Sequence, residues 1–419
     1  MDELNAKQQE AVALGTAGAC LFLTGPGGTG KSFALEHIVA AVQEAGRYVR
    51  VTASTGVAAL NVKGCTIHSL LGTGIANREK EARKLAKSSY TVDNARYRLE
   101  MLDGIVIDEV SMLAGDYIDM LDWWLRRVLM SDELFGGKQI IFLGDFLQLP
   151  PVEKEVIYDA KFAFQSNAWG EALVKTIELD RSYRQNDQHM VDALNRIRYG
   201  EFDSEIADVF APCVERKLKD PTRLCATNRA AQNTNMRKLV QLPGREHLYE
   251  GKSQGAGKYA AENAKRIEKN VIADKNLSLK EGAPVIMLVN DRERGFVNGS
   301  RARVAECGEN RIVAELEDTG NKVEVGRHMW EMVDGSDRVV ATFKQFPMKL
   351  AWAITIHKSQ GMSLDRVALN LGDVFEKGQA YVALSRARSI EGLSLDAPLT
   401  ERMIFAHSDI VDFYRRNGR

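Results

Sequence analysis

CLFLTGPGGTGKSFALEHIVAAVQEA, residues 20–45, contains a complete G-x-x-x-x-G-K-[ST] pattern from Gly25 to Ser32. An apolar, strand-like run precedes this pattern, and an amphipathic helical segment follows it. Glycines in such a loop let successive backbone N–H groups point at phosphate oxygens, and the positive end of the following helix faces the same anion. The stretch therefore predicts an α/β fold with a nucleoside-triphosphate site after its first strand.

The loop residues predicted to surround the nucleotide are Gly25, Pro26, Gly27, Gly28, Thr29, Gly30, Lys31 and Ser32. Lys31 is expected to reach the β and γ phosphates, and the Ser32 hydroxyl is expected to ligate Mg²⁺. The alternative is a glycine-rich turn that matches the pattern by chance. The strand and helix on the correct sides of the loop argue against it.

Further apolar runs alternate with amphipathic segments, as in βαβα units around a parallel sheet. IVIDE ends in Asp108 and Glu109, and QIIFLGD leads through Asp145 to Gln148. Parallel strands bring these ends to one edge of the sheet, beside the phosphates. We predict that Asp108 holds Mg²⁺, Glu109 orients and deprotonates the attacking water, and Gln148 senses the γ phosphate. Taken alone, such residues are often ordinary loop residues.

Composition limits the class of protein. The chain has 419 residues, 45% hydrophobic and 27% charged, which is typical of a folded protein with two large lobes. A formal net charge of -1 neither requires nor excludes a nucleic-acid partner. The cysteines form no CxxC pair, which argues against zinc and disulfides. The start of the chain lacks the pattern of a secretory signal and no apolar run is long enough to span a bilayer, so a cytoplasmic protein without a membrane partner is expected.

We expect two lobes. The first covers 1–175, with an insertion at about 73–100, where a Lys-, Arg- and Ser-rich stretch interrupts the βα alternation. The second covers 176–290 and 346–419. Period-two alternation with turn sequences such as VNGS and DTGN predicts a small antiparallel β module at 291–345. The polar segment 237–280 is expected to be a mobile arm or an exposed helix, and a solvated surface element is the simpler interpretation.

Hydrolysis between two lobes requires positive charge delivered from the second lobe, because arginine stabilises the equatorial oxygens of the transition state. Arg184 in LDRSYRQ and Arg386 in YVALSRAR each follow an apolar run that would anchor them. Most arginines are surface residues, so this prediction depends on the wider pattern of motifs.

That wider pattern resembles the motif set of superfamily 1B DNA helicases, in particular the branch that holds the phage Dda helicase, the RecD-type enzymes and the petite-integration-frequency helicases. The motifs, in order, are LNAKQQ, GPGGTGKS, TASTGVAALNVKGCTIHS, IVIDEVSML, FLGDFLQLPPV, LDRSYRQ, GFVNGSRARV, LAWAITIHKSQGMSLD and YVALSRAR. The match runs from about Leu4 to about Arg388. An ordered series of this length is far more specific than any one motif.

The resemblance implies further site residues. Gln8 matches the family glutamine that contacts adenine, and Gln360 lies between nucleotide and DNA. Lys31, Ser32, Asp108, Glu109, Gln148, Arg184 and Arg386 match its ATPase positions. The residues that match DNA-backbone contacts are Thr55, Gly56, His68, His357, Lys358 and Ser359. For the two histidines, packed polar residues are an equally good interpretation.

The resemblance also implies architecture: two RecA-like P-loop NTPase lobes, an inserted subdomain whose pin splits the duplex, and an SH3-like β subdomain in the second lobe. Tyr90 is our candidate for the pin aromatic. The short flanks of the motif set suggest a motor that acts as a monomer, without a nuclease. The cytoplasm of a bacterial or phage-infected cell is the expected location.

Together these features predict a 5′-to-3′ DNA helicase that uses ATP and Mg²⁺ and binds single strands and duplex junctions, in replication, repair or recombination. The direction comes from the resemblance alone. One alternative is a DNA-dependent translocase that strips proteins from DNA and unwinds weakly. Another is a nucleotide-operated switch whose slow turnover is indifferent to DNA.

Overall fold

The computed structural model describes residues 4–62, 64–73, 76–150, 160–185, 187–291, 293–336 and 338–417. The chain forms two compact units. Unit 1 comprises Met1–Tyr183, Glu331–Val340 and Ser408–Arg419, and unit 2 comprises Arg184–Trp330 and Ala341–His407. Among the described residues, no helix has the length and apolar character needed to cross a bilayer.

A parallel sheet forms the centre of unit 1, in the order β3-β2-β4-β5-β1-β6. Its strands are β1 (Leu21–Thr24), β2 (Val49–Ala53), β3 (Cys65–Thr66), β4 (Gly104–Asp108), β5 (Gln139–Leu143) and β6 (Lys175–Glu178). Strands β1 and β5 are completely buried, which explains their continuous apolar sequences. All adjacent strands pair in parallel, so their carboxyl ends share one edge.

Helices alternate with these strands along the chain. They are α1 (Ala6–Thr16), α2 (Lys31–Glu44), α3 (Gly56–Asn61), α4 (Ile67–Leu71), α5 (Glu79–Leu85), α6 (Ser89–Leu99), α7 (Gly115–Leu129) and α8 (Asn167–Glu171). Helix α2 buries Ala34, Leu35 and Ile38 in a core that also contains Leu21 and Leu23 of β1. This packing fixes the start of α2 close to the end of β1, with residues 25–30 between them.

The predicted insertion at about 73–100 contains helices α5 and α6, and residues 74 and 75 lie outside the described residues. Within its described part there is no strand, so it shows no β-hairpin that could serve as a pin. Helix α6 buries Val92, Ala95 and Leu99. Tyr90, on the same helix, is 79% exposed.

Unit 2 contains a second parallel sheet, in the order β18-β7-β19-β20. Its strands are β7 (Thr222–Cys225), β18 (Ala353–Thr355), β19 (Val367–Leu369) and β20 (Leu393–Leu395). The associated helices are α9 (Gln188–Arg198), α10 (Ser204–Phe210), α11 (Asn228–Gln241) and α13 (Gln379–Leu384). The sheet is short, and all its strand pairs are parallel.

An antiparallel sheet follows in unit 2, in the order β14-β13-β12-β11-β17. Its strands are β11 (Pro284–Met287), β12 (Arg301–Cys307), β13 (Arg311–Leu316), β14 (Lys322–Gly326) and β17 (Met348–Leu350). It extends beyond the predicted bounds of 291–345 on both sides, because β11 pairs with β17 as well as with β12.

The segment predicted to be an arm, 237–280, is more ordered than expected. It contains β8 (His247–Glu250), β9 (Lys252–Gly255), α12 (Ala260–Asn270) and β10 (Asn276–Leu279). Strand β8 pairs with β10, and β9 pairs with β16 (Val339–Gln345), which is the neighbour of β15 (His328–Val333). Leu239, Tyr249 and Leu277 lie in the core of the antiparallel sheet. The prediction of a mobile arm or solvated surface element is therefore wrong for the strands of this segment, whereas the alternative prediction of an exposed helix fits α12, in which Ile267 is the one buried residue among those the structure describes.

Two predicted boundaries also change. The second lobe was expected to begin at 176, but β6 pairs with β1 and unit 1 continues to Tyr183. The last helix, α14 (Ser408–Asn417), was assigned to the second lobe and belongs instead to unit 1. The reason is its aromatic face: Phe413 stacks on Phe164 with ring centroids 4.3 Å apart, and Tyr414 is buried.

Candidate active site

The phosphate loop, Gly25 to Ser32, connects β1 to α2. Gly25, Gly28 and Gly30 have φ angles of 135°, 89° and 82°, a region that favours glycine. A Cβ at Gly25 would lie 2.3 Å from the carbonyl oxygen of Leu179. Lys31 Nζ donates to the carbonyl oxygen of Gly25 at 2.7 Å, so its ammonium group lies over the loop itself. The loop is therefore shaped as the sequence pattern predicts.

Of the two carboxylates, Asp108 is the last residue of β4 and Glu109 follows it, at the same edge. The backbone N–H of Glu109 donates to Asp108 Oδ1 at 2.8 Å, and Glu109 has a φ of 53°, which is unusual for a residue with a side chain. Burial raises the pKa of Asp108 above its usual value, while the Glu109 N–H and the positive charge of Lys31 act in the opposite direction. Strained backbone of this kind is common at functional sites.

Gln148 follows β5 and lies in the same region of unit 1. Its Nε2 donates to Asp145 Oδ2 at 3.1 Å, and the backbone N–H of Leu147 donates to Asp145 Oδ1 at 3.1 Å. Asp145 and Gln148 are both buried. The carboxyl group of Asp145 thus orients the amide of Gln148.

Gln8 lies beside the phosphate loop on α1. Its backbone N–H bonds to Asn5 Oδ1 and its Oε1 accepts the backbone N–H of Asn5, a capping box that fixes the side chain. A Cβ at Gly30 would lie 2.8 Å from Gln8 Nε2. Gln8 is 1% exposed, and among the described residues no group accepts a hydrogen bond from its Nε2. A buried donor without an acceptor indicates a place for a ligand.

Tyr183 is a residue that the sequence analysis missed. Its backbone N–H donates to the carbonyl oxygen of Gly28 at 2.9 Å, and its ring would lie 3.7 Å from a Cβ at Gly30. The side chain is 51% exposed. The prediction from LDRSYRQ named Arg184 alone. The signal for Tyr183 is its position directly before that arginine in the same motif.

In unit 2, Arg184 and Arg386 meet at Ser385. Arg184 Nη1 donates to the backbone oxygen of Ser385 at 3.2 Å, and Arg386 Nη2 donates to its hydroxyl at 2.7 Å. Arg386 Nε also donates to the carbonyl oxygen of Val382 at 2.8 Å, and its side chain is buried. Burial lowers the pKa of Arg184, which nevertheless stays charged because an arginine titrates far above neutral pH.

Of the residues predicted to contact DNA, three belong to unit 1. Thr55 Oγ1 accepts the backbone N–H of Ala58 and so caps α3, of which Gly56 is the first residue. His68 lies on α4, with its ring centroid 4.7 Å from that of Tyr117. Thr55 and His68 are half-buried, so each keeps an accessible face.

The other three lie in unit 2, directly after β18. His357 Nε2 is 3.3 Å from Glu376 Oε2, and Lys358 is exposed. Ser359 is fully buried, and its hydroxyl donates to the carbonyl oxygen of Ile356 at 2.7 Å. In this structure Ser359 supports the turn, whereas Lys358 presents a charge at the surface. Gln360, the residue predicted between nucleotide and DNA, is half-buried.

Comparison with protein-family models gives matches in both halves of the chain. The PIF1-like helicase model matches residues 3–212. A model of the 2B domain of the DNA helicase Pif1 matches 262–306, and a helicase model matches 322–414.

Individual proteins agree with these models. The chain is 36% identical to the ATP-dependent DNA helicase PIF1 of Xenopus laevis, over 99% of this chain and 65% of that protein. It is 33% identical to the ATP-dependent DNA helicase Pif1 of Bdellovibrio bacteriovorus, over 99% of this chain and 92% of that protein. A crystal structure of Bacteroides Pif1 in complex with ADP-AlF4 superposes with a TM-score of 0.87 at 30% identity, covering 100% and 98% of the two chains.

These matches have three consequences. The chain spans about two thirds of the length of the first of these relatives, since it covers 65% of the Xenopus protein. The prediction of a bacterial or phage-infected cell is corrected, because the relatives include a vertebrate protein as well as a bacterial one. The expectation of two RecA-like lobes is confirmed by the full-length structural match.

Proposed function

The chain belongs to the PIF1-like helicase family, as the resemblance to superfamily 1B predicted, and from this premise we propose that it is an ATP-driven DNA helicase. It moves 5′ to 3′ along single-stranded DNA and separates duplexes at junctions. The observation that carries the proposal is the convergence of Gln8, the phosphate loop, the Asp108–Glu109 pair and Gln148 in unit 1. Relatives that carry the name ATP-dependent DNA helicase support it.

ATP is the substrate that suits this site. The glycines of the loop expose backbone N–H groups to phosphates, and Lys31 exchanges its bonds to the loop carbonyls for bonds to the β and γ phosphates. The buried Nε2 of Gln8 finds its missing acceptor on the adenine ring, and the exposed ring of Tyr183 stacks on the same base.

Mg²⁺ is the metal that these residues suit, because Ser32 and Asp108 offer a hydroxyl and a carboxylate oxygen, the ligands that it prefers. When bound, it neutralises charge on the β and γ phosphates. The positive charge of Lys31 favours the ionised form of Asp108, which is the form that binds a metal ion.

For hydrolysis, Glu109 accepts a proton from the attacking water and Gln148 orients that water against the γ phosphate. The backbone N–H of Glu109 occupies one oxygen of the Asp108 carboxylate, and we assign the two acids different tasks, Asp108 to the metal and Glu109 to the water. Arg184 and Arg386 stabilise the charge that develops on the phosphate oxygens.

DNA is bound through its phosphates. Thr55, Gly56 and His68 in unit 1, and His357, Lys358 and Ser359 in unit 2, contribute to this binding, while Gln360 links it to the nucleotide. The action of Ser359 is indirect, because its hydroxyl supports the turn that carries Lys358. Binding of this kind is nearly independent of sequence and weakens steeply with salt.

A translocase that unwinds weakly is the second candidate. The feature that favours it is the insertion, whose described part consists of α5 and α6 and lacks a β-hairpin. Tyr90 on α6 is our candidate for stacking on a base pair at the junction.

ATPase activity with and without single-stranded DNA tests the proposal, with Lys31→Ala as the inactive control. We expect DNA to stimulate turnover of the wild type severalfold or more. Turnover that DNA leaves unchanged would instead favour a nucleotide-operated switch.

A further inference from the structure

Tyr414 on the last helix, α14, reaches into unit 1 from the far end of the sequence. Its side chain is 2% exposed. Its hydroxyl lies 2.6 Å from Thr24 Oγ1 and 3.2 Å from Asp145 Oδ1, and it accepts the backbone N–H of Phe146 at 3.2 Å. All of these residues belong to unit 1.

The partners of this hydroxyl are the ends of two strands that carry the site. Thr24 is the last residue of β1 and directly precedes Gly25, the first residue of the phosphate loop. Asp145 follows β5 and accepts from Nε2 of Gln148. The hydroxyl of Tyr414 therefore joins the base of the phosphate loop to the group that orients Gln148.

We propose that Tyr414 is a positioning residue for ATP hydrolysis, which is held by the Thr24 hydroxyl at the base of the phosphate loop and acts through Asp145 on the amide of Gln148. The proposal rests on the proposed function, because it assigns a role in that reaction. Tyr414 is 2% exposed, so the proposed role is exercised through its neighbours and not by contact with the reacting groups.

The donor and acceptor roles are consistent with this function. A tyrosine hydroxyl has one hydrogen to donate, and its oxygen can accept. It accepts from Phe146 N–H and donates to Asp145 Oδ1, while the Thr24 hydroxyl donates to it. Asp145 Oδ2 remains the acceptor for Gln148 Nε2, which fixes the plane of that amide. An amide held in one plane directs its carbonyl oxygen, the acceptor for water, in one direction.

Phe413 also packs α14 against unit 1. Phe413 stacks on Phe164 with ring centroids 4.3 Å apart and meets Phe146 edge-on at 5.8 Å. Replacing Tyr414 by phenylalanine keeps its ring in place and removes only the hydroxyl. The role of the hydroxyl can thus be tested while the packing of α14 is kept.

The test compares Tyr414→Phe with wild type in the DNA-stimulated ATPase reaction. We expect kcat to fall by about tenfold, the effect of losing one well-placed hydrogen bond in the transition state. The KM for ATP and the affinity for a fluorescent ADP analogue should change by less than about twofold, because binding without chemistry does not require Gln148. Thr24→Val, which removes the other hydroxyl of the pair, should lower kcat in the same way and serves if Tyr414→Phe does not fold.

Tyr249→Phe is the matched control. Tyr249 is another buried tyrosine, in unit 2, whose hydroxyl donates to the carbonyl oxygen of Gly308 at 3.0 Å. Its loss should leave kcat unchanged and alter only the melting temperature.

A double-mutant cycle with Gln148→Ala identifies the route. If Tyr414 acts mainly through Gln148, the tenfold effect of Tyr414→Phe should largely disappear in the Gln148→Ala background. Unchanged kcat in Tyr414→Phe, or effects of the two substitutions that simply multiply, would overturn the inference while leaving the proposed function intact. Wild-type protein without ATPase activity would overturn both.

Discussion

The backbone N–H of Glu109 donates to Asp108 Oδ1 at 2.8 Å, and Glu109 adopts a φ of 53°. This bond holds the Asp108 carboxylate against the backbone of Glu109. It supports the proposed division of labour, in which Asp108 serves the metal and Glu109 serves the water.

The first prediction concerns Glu109→Gln. The amide keeps the size of the side chain but cannot accept a proton, so kcat should fall by about a hundredfold or more while ATP still binds. Single-turnover hydrolysis and binding of a fluorescent ATP analogue measure the two effects separately. Asp132→Asn, at an exposed acid outside the site, is the control. Near-normal turnover of Glu109→Gln would show that another group is the base.

The second prediction uses two glycines with similar backbones. Gly30 and Gly46 have φ angles of 82° and 76°, but a Cβ at Gly30 meets Gln8 Nε2 at 2.8 Å whereas one at Gly46 meets nothing within 4 Å. Alanine at either position strains the backbone by about 1 kcal/mol. Only Gly30→Ala should also weaken ATP binding, because it displaces Gln8. Calorimetric titration with ADP compares the two, and equal affinities would contradict the role of Gln8.

The third prediction concerns Arg386 and its exposed neighbour Arg388, which pairs with Asp365 at 2.9 Å. Arg386→Ala should lower kcat by about a thousandfold, as expected for an arginine that stabilises the transition state. It should also lower the melting temperature by a few degrees, since its guanidinium is buried and bonded to Val382 and Ser385.

The control, Arg388→Ala, should change neither quantity by much because its ion pair is exposed. If Arg386→Ala affects only the melting temperature, with turnover per folded molecule unchanged, the arginine has a structural role and the two-lobed mechanism is wrong.

The strand ends of the site could be predicted from sequence because each is a local pattern. The phosphate loop follows β1, Asp108 and Glu109 lie at the end of β4, and Gln148 lies a few residues after β5. Parallel pairing then brings these strand ends to one edge. No knowledge of distant contacts is needed for that step.

Features that depend on distant contacts were missed. Tyr414 lies 390 residues from Thr24 in the chain, and nothing near either residue indicates that they meet. The pairing of β6 with β1 likewise depends on contacts between distant parts of the chain. The predicted boundary between the lobes, at 176, is therefore too early. The segment 237–280 has a polar sequence, yet its residues Leu239, Tyr249 and Leu277 pack in the hydrophobic core of the antiparallel sheet.

The fourth prediction tests strand separation apart from movement. Tyr90 and Tyr97 are 79% and 78% exposed and lie seven residues apart on α6, so they share one face of the helix. Alanine at both should reduce unwinding severalfold and leave the ATPase stimulated by single strands unchanged, because the rings would contact only the duplex. Tyr259→Ala, at an exposed aromatic of unit 2, is the control. If the double alanine variant unwinds DNA at the wild-type rate, α6 does not take part in strand separation.

Strand displacement on substrates of opposite polarity tests the central claim most directly. Two labelled duplexes that differ only in carrying a 5′ or a 3′ single-stranded tail are incubated with protein, ATP and Mg²⁺, with Lys31→Ala in parallel. The account predicts displacement from the 5′-tailed duplex by the wild type alone. Displacement only from the 3′-tailed duplex, or equal displacement by Lys31→Ala, would contradict it.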